Sequence, residues 1–179
     1  MDVSARIIEA ALALLAEGGE LTQPRVARAA GVRQSHLTYY FPTVTDLLQA
    51  VARRSFDTLA AEFGAGTGTR PASMAVNIAK ASADKRRVRM MLGLVAAADR
   101  DRSLRPRMRA FVKELRGRIA PLLEAAGLEV SAADLAFLHT VIVGSAVLQF
   151  ARHNDEARRE ARAVIERAIR CIARRGSES

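Results

Sequence analysis

Residues 23–40 read QPRVARAAGVRQSHLTYY, and this stretch decides the fold. Two short helices that cross steeply restrict the residues allowed at the crossing. A small side chain must stand where they approach, and Ala27 supplies it. The turn between them must tolerate a positive φ, and Gly31 supplies that. Val26, Ala30, Val32 and Leu37 are apolar and spaced to close the corner. The pattern predicts a helix that opens after the N-cap Thr22 with Pro24 in its first turn and ends at Gly31. A second helix over about 34–40 stops before Pro42, whose ring blocks continuation. By spacing alone, a generic pair of short helices around a glycine remains the competing reading.

Outward from this corner the pattern stays helical. Ile7, Ala11 and Leu14, with Ile8, Leu12 and Leu15 beside them, give residues 3–17 a wide apolar face, closed by Gly18-Gly19. Thr43-Val44-Thr45-Asp46 is a capping box in its Asp form and opens a helix of about 44–62. Residues 64–71, rich in Gly and Thr and ending in Pro71, read as a linker. Helices then follow at 72–83, 85–99, 104–125, 132–152 and 155–174. The 85–99 segment has a basic start and an almost wholly apolar body, so it is expected to be central and buried. Pro121 should kink the 104–125 helix, Gly127 end it, and Ser131 cap the next. No segment alternates as a strand does, so the fold class is all-α, with about nine helices.

Half of the 179 residues are hydrophobic, enough for one substantial core and a satellite domain. The single cysteine, Cys171, allows no internal disulfide and fits a reducing cytoplasm. The start of the chain is not that expected of a signal peptide, and the longest apolar runs, 90–98 and 141–148, are shorter than a bilayer crossing, so no membrane role is expected. The net charge of +9 lies wholly in residues 61–179, with 22 basic and 13 acidic groups, and reads mainly as a solvated helix surface. Residues 1–24 carry one basic and four acidic groups, whereas 25–54 carry five arginines against Asp46, a local +4 patch able to meet phosphate. The three histidines, at 36, 139 and 153, lack metal-ligand spacing. No phosphate loop or nucleophile elbow appears, so neither an enzyme, a metal nor a cofactor is expected.

The ordered run Leu21-Thr22, Val26-Ala27, Ala30-Gly31-Val32, Leu37, Tyr40-Phe41-Pro42 and Leu47-Leu48 resembles the signature of the TetR family of bacterial transcriptional regulators. Arg6-Ile7-Ile8-Glu9-Ala10-Ala11 is similar to that family's first-helix opening, and the close likeness covers about residues 4–52. It departs at Thr43-Val44-Thr45, where the family often has Ser-Lys-Glu, and at Ser35, Thr38 and Tyr40. The resemblance implies a helix-turn-helix DNA-binding domain at 1–48, joined through helix 44–62 to a helical regulatory domain at 49–179 that senses a ligand and dimerises. It implies that the third helix enters the major groove, with Arg33, Gln34, Ser35, His36 and Thr38 as candidates for base edges. Thr22, Gln23, Arg25, Tyr39, Tyr40 and Thr43 are the candidates for phosphate. Tyr40 is equally readable as a corner-filling core residue, and Thr22 and Thr43 as caps.

The implied partners are double-stranded operator DNA, a second copy through helices 132–152 and 155–174, and a small-molecule effector. The segment 141–148 is apolar nearly all round and contains Gly144, Ser145 and Ala146, so it needs neighbours on more than one side. For the effector, Asn77, Met90, Met91, Phe111, Phe137, His139 and Gln149 are candidates, as adaptable apolar walls or as polar residues in apolar helices. Each also reads as ordinary packing. The expected function is a cytoplasmic repressor released from a palindromic operator by a largely apolar ligand. The competing reading is a helical protein-interaction module without DNA preference.

Overall fold

The computed structural model describes residues 2–18, 20–65 and 71–176, without the side chains of 59, 60, 62–65, 71, 72 and 176. These residues form nine α-helices and a single 3-10 turn, and no strand. The helices are α1 (Val3–Glu17), α2 (Gln23–Ala29), α3 (Gln34–Tyr40), α4 (Val44–Ala65), α5 (Pro71–Ser82), α6 (Lys85–Arg100), α7 (Arg105–Ala125), α8 (Ala132–Arg152) and α9 (Asp155–Gly176). The expected all-α class holds, and the helices fall within a few residues of their expected places. Gly64, Ala65 and Pro71 of the expected linker lie in α4 and α5, while its residues 66–70, like Gly19, lie outside the described residues.

Two compact units form, Met1–Asp57 with Lys85–Met108, and Thr58–Asp84 with Arg109–Ser179. In the first, Ile7, Ala11 and Leu15 from α1 are buried, as are Val26, Leu37, Phe41, Leu47 and Val51, and α1 packs against α2 and α3. Each fully buried Leu or Ile there contributes about 1.5–3 kcal/mol by leaving water. α6 joins this unit through α1, and its Gly93 lies where an added Cβ would stand 3.3 Å from Leu48. It is not the buried central helix that its composition suggests. Only Val88 and Leu94 are buried, while Leu92 and Val95 are exposed, because its apolar body is broader than the surface this unit offers it.

The core of the second unit is shared by α5, α8, α9 and the end of α7. Met74 and Ala75 from α5, Leu138 from α8, and Ile165, Ala168, Ile169 and Ile172 from α9 pack with Leu123, Ala126 and Leu128. Ser131 accepts from Asp134 N–H at 3.1 Å while the Asp134 carboxylate takes the Ser131 N–H at 3.0 Å, a complete capping box that starts α8. Pro121 lies within α7 without ending it. α8 is long and apolar enough, by length and composition alone, to cross a membrane, which the shorter run 141–148 does not suggest. Only about a fifth of its most apolar stretch is buried in this chain (22%), and the charges of the helix, Asp134 and Arg152, sit near its two ends.

Candidate nucleic-acid interface

The corner is held from below and presents its upper face to solvent. Gly31 adopts φ 62, the left-handed conformation that costs a residue with a Cβ. Across it, the Val32 N–H returns to the Ala27 carbonyl at 3.0 Å, and the Gly31 N–H to Arg28 at 3.1 Å. Arg6 on α1 donates from Nη2 to the carbonyls of Ala30 at 2.9 Å and Gly31 at 3.1 Å. These carbonyls end α2, so a cation there also meets the negative end of the helix.

A second clamp holds the far side. Gln23 Nε2 donates to the Phe41 carbonyl at 2.9 Å and to Pro42 at 3.0 Å, tying the first residue of α2 to the loop after α3. With its amide N–H groups so engaged, Gln23 acts here as a brace for that loop. Between the clamps α3 has one buried anchor, Leu37, with no exposed surface. Arg33, Gln34, Ser35, His36, Thr38, Tyr39 and Tyr40 are all exposed. Thr38 Oγ1 donates back to the Gln34 carbonyl at 2.9 Å. Tyr39 and Tyr40 stand edge to face at 5.3 Å, and Tyr40 is 41% exposed, so its ring does not fill the corner; Phe41 does.

Thr43 and Asp46 form the expected box at the head of α4. Asp46 N–H donates to Thr43 Oγ1 at 3.1 Å, and Thr43 N–H and Oγ1 donate to Asp46 Oδ2 at 2.9 and 2.6 Å. The other carboxylate oxygen, Oδ1, receives Arg107 Nη2 at the start of α7. Burial works against ionisation of Asp46, but these hydrogen bonds outweigh it and hold its pKa below the usual 3.8. Arg107 also donates to Gln49 Oε1 at 3.3 Å, while the buried Gln49 Nε2 has no partner. Thr22, by contrast, occupies the N-cap position of α2 without a side-chain cap bond. Arg25 and Thr22 lie beside one another at that helix start, Arg25 exposed and Thr22 partly so.

Arg89 of α6 completes the unit by donating from Nη1 to the Leu15 and Ala16 carbonyls, both at 2.8 Å, at the end of α1. Gly18 adopts φ 80, which favours glycine, and a Cβ added there would stand 2.9 Å from Arg89 Nη2, so the guanidinium would have to shift. Arg6, Arg89 and Arg107 reach partners far away in sequence, and no spacing rule could have singled them out.

Residues 7–51 match the model for bacterial regulatory proteins of the tetR family. The chain carries the N-terminal domain of the TetR-family regulators. The whole chain also has the fold of solved members of that family. It is 22% identical to a TetR transcriptional regulator from Rhodococcus sp. RHA1, with a TM-score of 0.70 over 95% of this chain and 94% of that one. It is 24% identical to a TetR family member from Streptomyces coelicolor A3, with a TM-score of 0.66 over 94% of this chain and 98% of that one. The multidrug binding protein EbrR complexed with ethidium is 24% identical, with a TM-score of 0.68 over 93% of this chain and 98% of that one. No curated protein sequence matches. A TetR-type domain belongs to DNA-binding regulators and not to enzymes.

The effector candidates do not fall in one compact unit. Met90 and Met91 lie on α6 in the first, partly buried; Asn77, Phe111, Phe137, His139 and Gln149 lie in the second. There Phe111 and Gln149 are buried, Phe137 and Asn77 are exposed, and His139 is partly buried with its Nδ1 accepting from Arg116 Nε at 3.2 Å. Among the described residues no group of three His, Cys, Asp or Glu stands ready for a metal.

Proposed function

We propose that this chain is a sequence-specific transcriptional repressor that leaves a palindromic operator when a small, largely apolar ligand binds. The observation that carries the reading is the state of α3. One buried side chain, Leu37, anchors it, and Arg33, Gln34, Ser35 and His36 line its open start. Arg6 and Gln23 clamp the backbone on either side, so the helix is pre-organised with its polar face uncommitted. Arg can pair bidentately with guanine and Gln with adenine in the major groove. Arg25, Tyr39, Tyr40, Thr22 and Thr43 are assigned to phosphate.

Residues 1–48 are the DNA-reading domain and 49–179 the regulatory domain, with the helix from 44 passing between them. A homodimer through α8 and α9 would set two copies of α3 about 34 Å apart, one turn of DNA. Exposed apolar side chains on those helices, Phe137, Leu148 and Val164, support that interface. The ethidium complex of EbrR supports a small-molecule effector. Any such ligand acts by preferring the dimer state with the wrong spacing. The protein would act in the bacterial cytoplasm, on the nucleoid.

The test is fluorescence anisotropy on duplexes selected from a random pool and on the promoter beside the gene. Expected is a preferred two-fold symmetric site whose affinity falls steeply between 50 and 200 mM salt. Equal binding to all duplexes, or none, refutes the proposal.

A further inference from the structure

We infer that the effector of this chain carries a carboxylate head group, received between α7 and α8 by Arg116 and His139. The inference rests on the effector-sensing reading above and names the class of ligand. Arg116 Nε donates to His139 Nδ1 at 3.2 Å, joining the two helices through a contact that is partly buried. Ile119, one turn on from Arg116, and Leu135 and Ile142, one turn either side of His139, pack against the apolar core. The pair is thus a polar point in an apolar setting.

What it offers is one-sided. Nδ1 of His139 already accepts, so the ring proton sits on Nε2 and can only be donated. Burial, and then the Arg116 charge, push the His139 pKa below its usual 6.5, which keeps the ring neutral. The Arg116 guanidinium keeps its terminal nitrogens, both donors in a fork that fits a carboxylate. Among the described residues no carboxylate lies opposite it. The nearby acids are engaged elsewhere, Glu114 with Arg118 at 3.0 Å and Asp134 with Ser131 and Arg175. A partly buried cation whose one bonded acceptor is a neutral imidazole, with hydrocarbon around the pair, favours an acceptor of negative charge and disfavours a cationic guest. A carboxylic acid with an apolar body satisfies both the donor pair and the surrounding side chains.

The test is calorimetric titration of the full chain with benzoate and octanoate, each beside its amide and its amine. Expected is at least tenfold tighter binding of an acid than of its amide, and weaker binding still of the amine. Arg116→Gln should bring acid and amide within threefold, Arg116→Lys, which keeps the charge without the fork, should retain only part of the preference, and the exposed Lys113→Gln should leave it unchanged. If Arg116→Gln fails to fold, the acid-to-amide ratio of the parent chain and the Arg116→Lys titration still decide. Amides or amines binding as well as acids overturns the inference. So does an Arg116→Gln chain that changes oligomeric state while keeping the acid preference. Operator release is measured separately. An acid that binds through Arg116 without loosening the DNA complex refutes the effector reading and leaves the site standing.

Discussion

Arg6 Nη2 lies 2.9 Å from the carbonyl oxygen of Ala30, so the first helix holds the last turn of the second. The second bond, to Gly31 at 3.1 Å, makes the guanidinium a clamp on the turn itself. Arg6→Met keeps the apolar stem and removes both donors. We expect a loss of about 1–2 kcal/mol, since bonds from a charged donor are worth more than neutral ones but this one is partly solvated. For a chain of this length that is a fall in melting temperature of about 2–4 °C per kcal/mol. Arg6→Lys should recover part of it. An unchanged melting temperature in Arg6→Met rejects the clamp.

Gly31→Ala should cost about 1–2 kcal/mol through backbone strain alone. The nearest atom to the added Cβ, Arg6 Nη2 at 3.8 Å, makes no clash. Gly117 is the contrast, since nothing lies within 4 Å of a Cβ built there on α7. Gly117→Ala should stabilise by about 0.5–1 kcal/mol. A Gly31→Ala chain as stable in urea melts as the parent would show that turn geometry does not govern the corner.

Acid should loosen the head of α4 through Asp46. Its folded pKa is depressed, because bonds from Arg107 and Thr43 outweigh the opposing effect of burial. Stability from this carboxylate is therefore fully present above its unfolded value and disappears as pH falls through the lower folded value. Asp46→Asn should destabilise the chain at pH 7 and flatten its loss of stability below about pH 4. A mutant whose stability falls with acid as steeply as the parent's contradicts this.

Gln34→Ala and His36→Ala should relax sequence preference by about 1–3 kcal/mol at the bases they read, with melting temperature unchanged. Their exposed side chains have no structural bond to lose. Arg25→Gln should instead weaken all duplexes alike and reduce the slope of log affinity against log salt by about 1. Identical operator profiles in the parent and the double mutant at 34 and 36 would remove those positions from base reading.

The corner was legible in the sequence because its requirements are local. Ala27, Gly31 and Leu37 are dictated by sterics and period within a few residues of the turn, as is the Thr43–Asp46 box. Helix positions followed for the same reason, since apolar period, caps and breakers act over one or two turns. Tyr40 was readable as core or surface, and only packing showed Phe41 inside and Tyr40 outside. The expected burial of α6 failed because composition measures how much apolar surface a helix has, not how much its neighbours cover.

The amino-acid order by itself determined an all-helical chain with a sharp corner near its start. Only the tertiary structure decided which cations close that corner and which remain available. Arg6, Arg89 and Arg107 are each committed to carbonyls or a carboxylate 24, 74 and 61 residues away, whereas Arg116 meets only a histidine. Long arginine side chains look alike in sequence, and their partners are set by which distant helix the folded chain brings within reach.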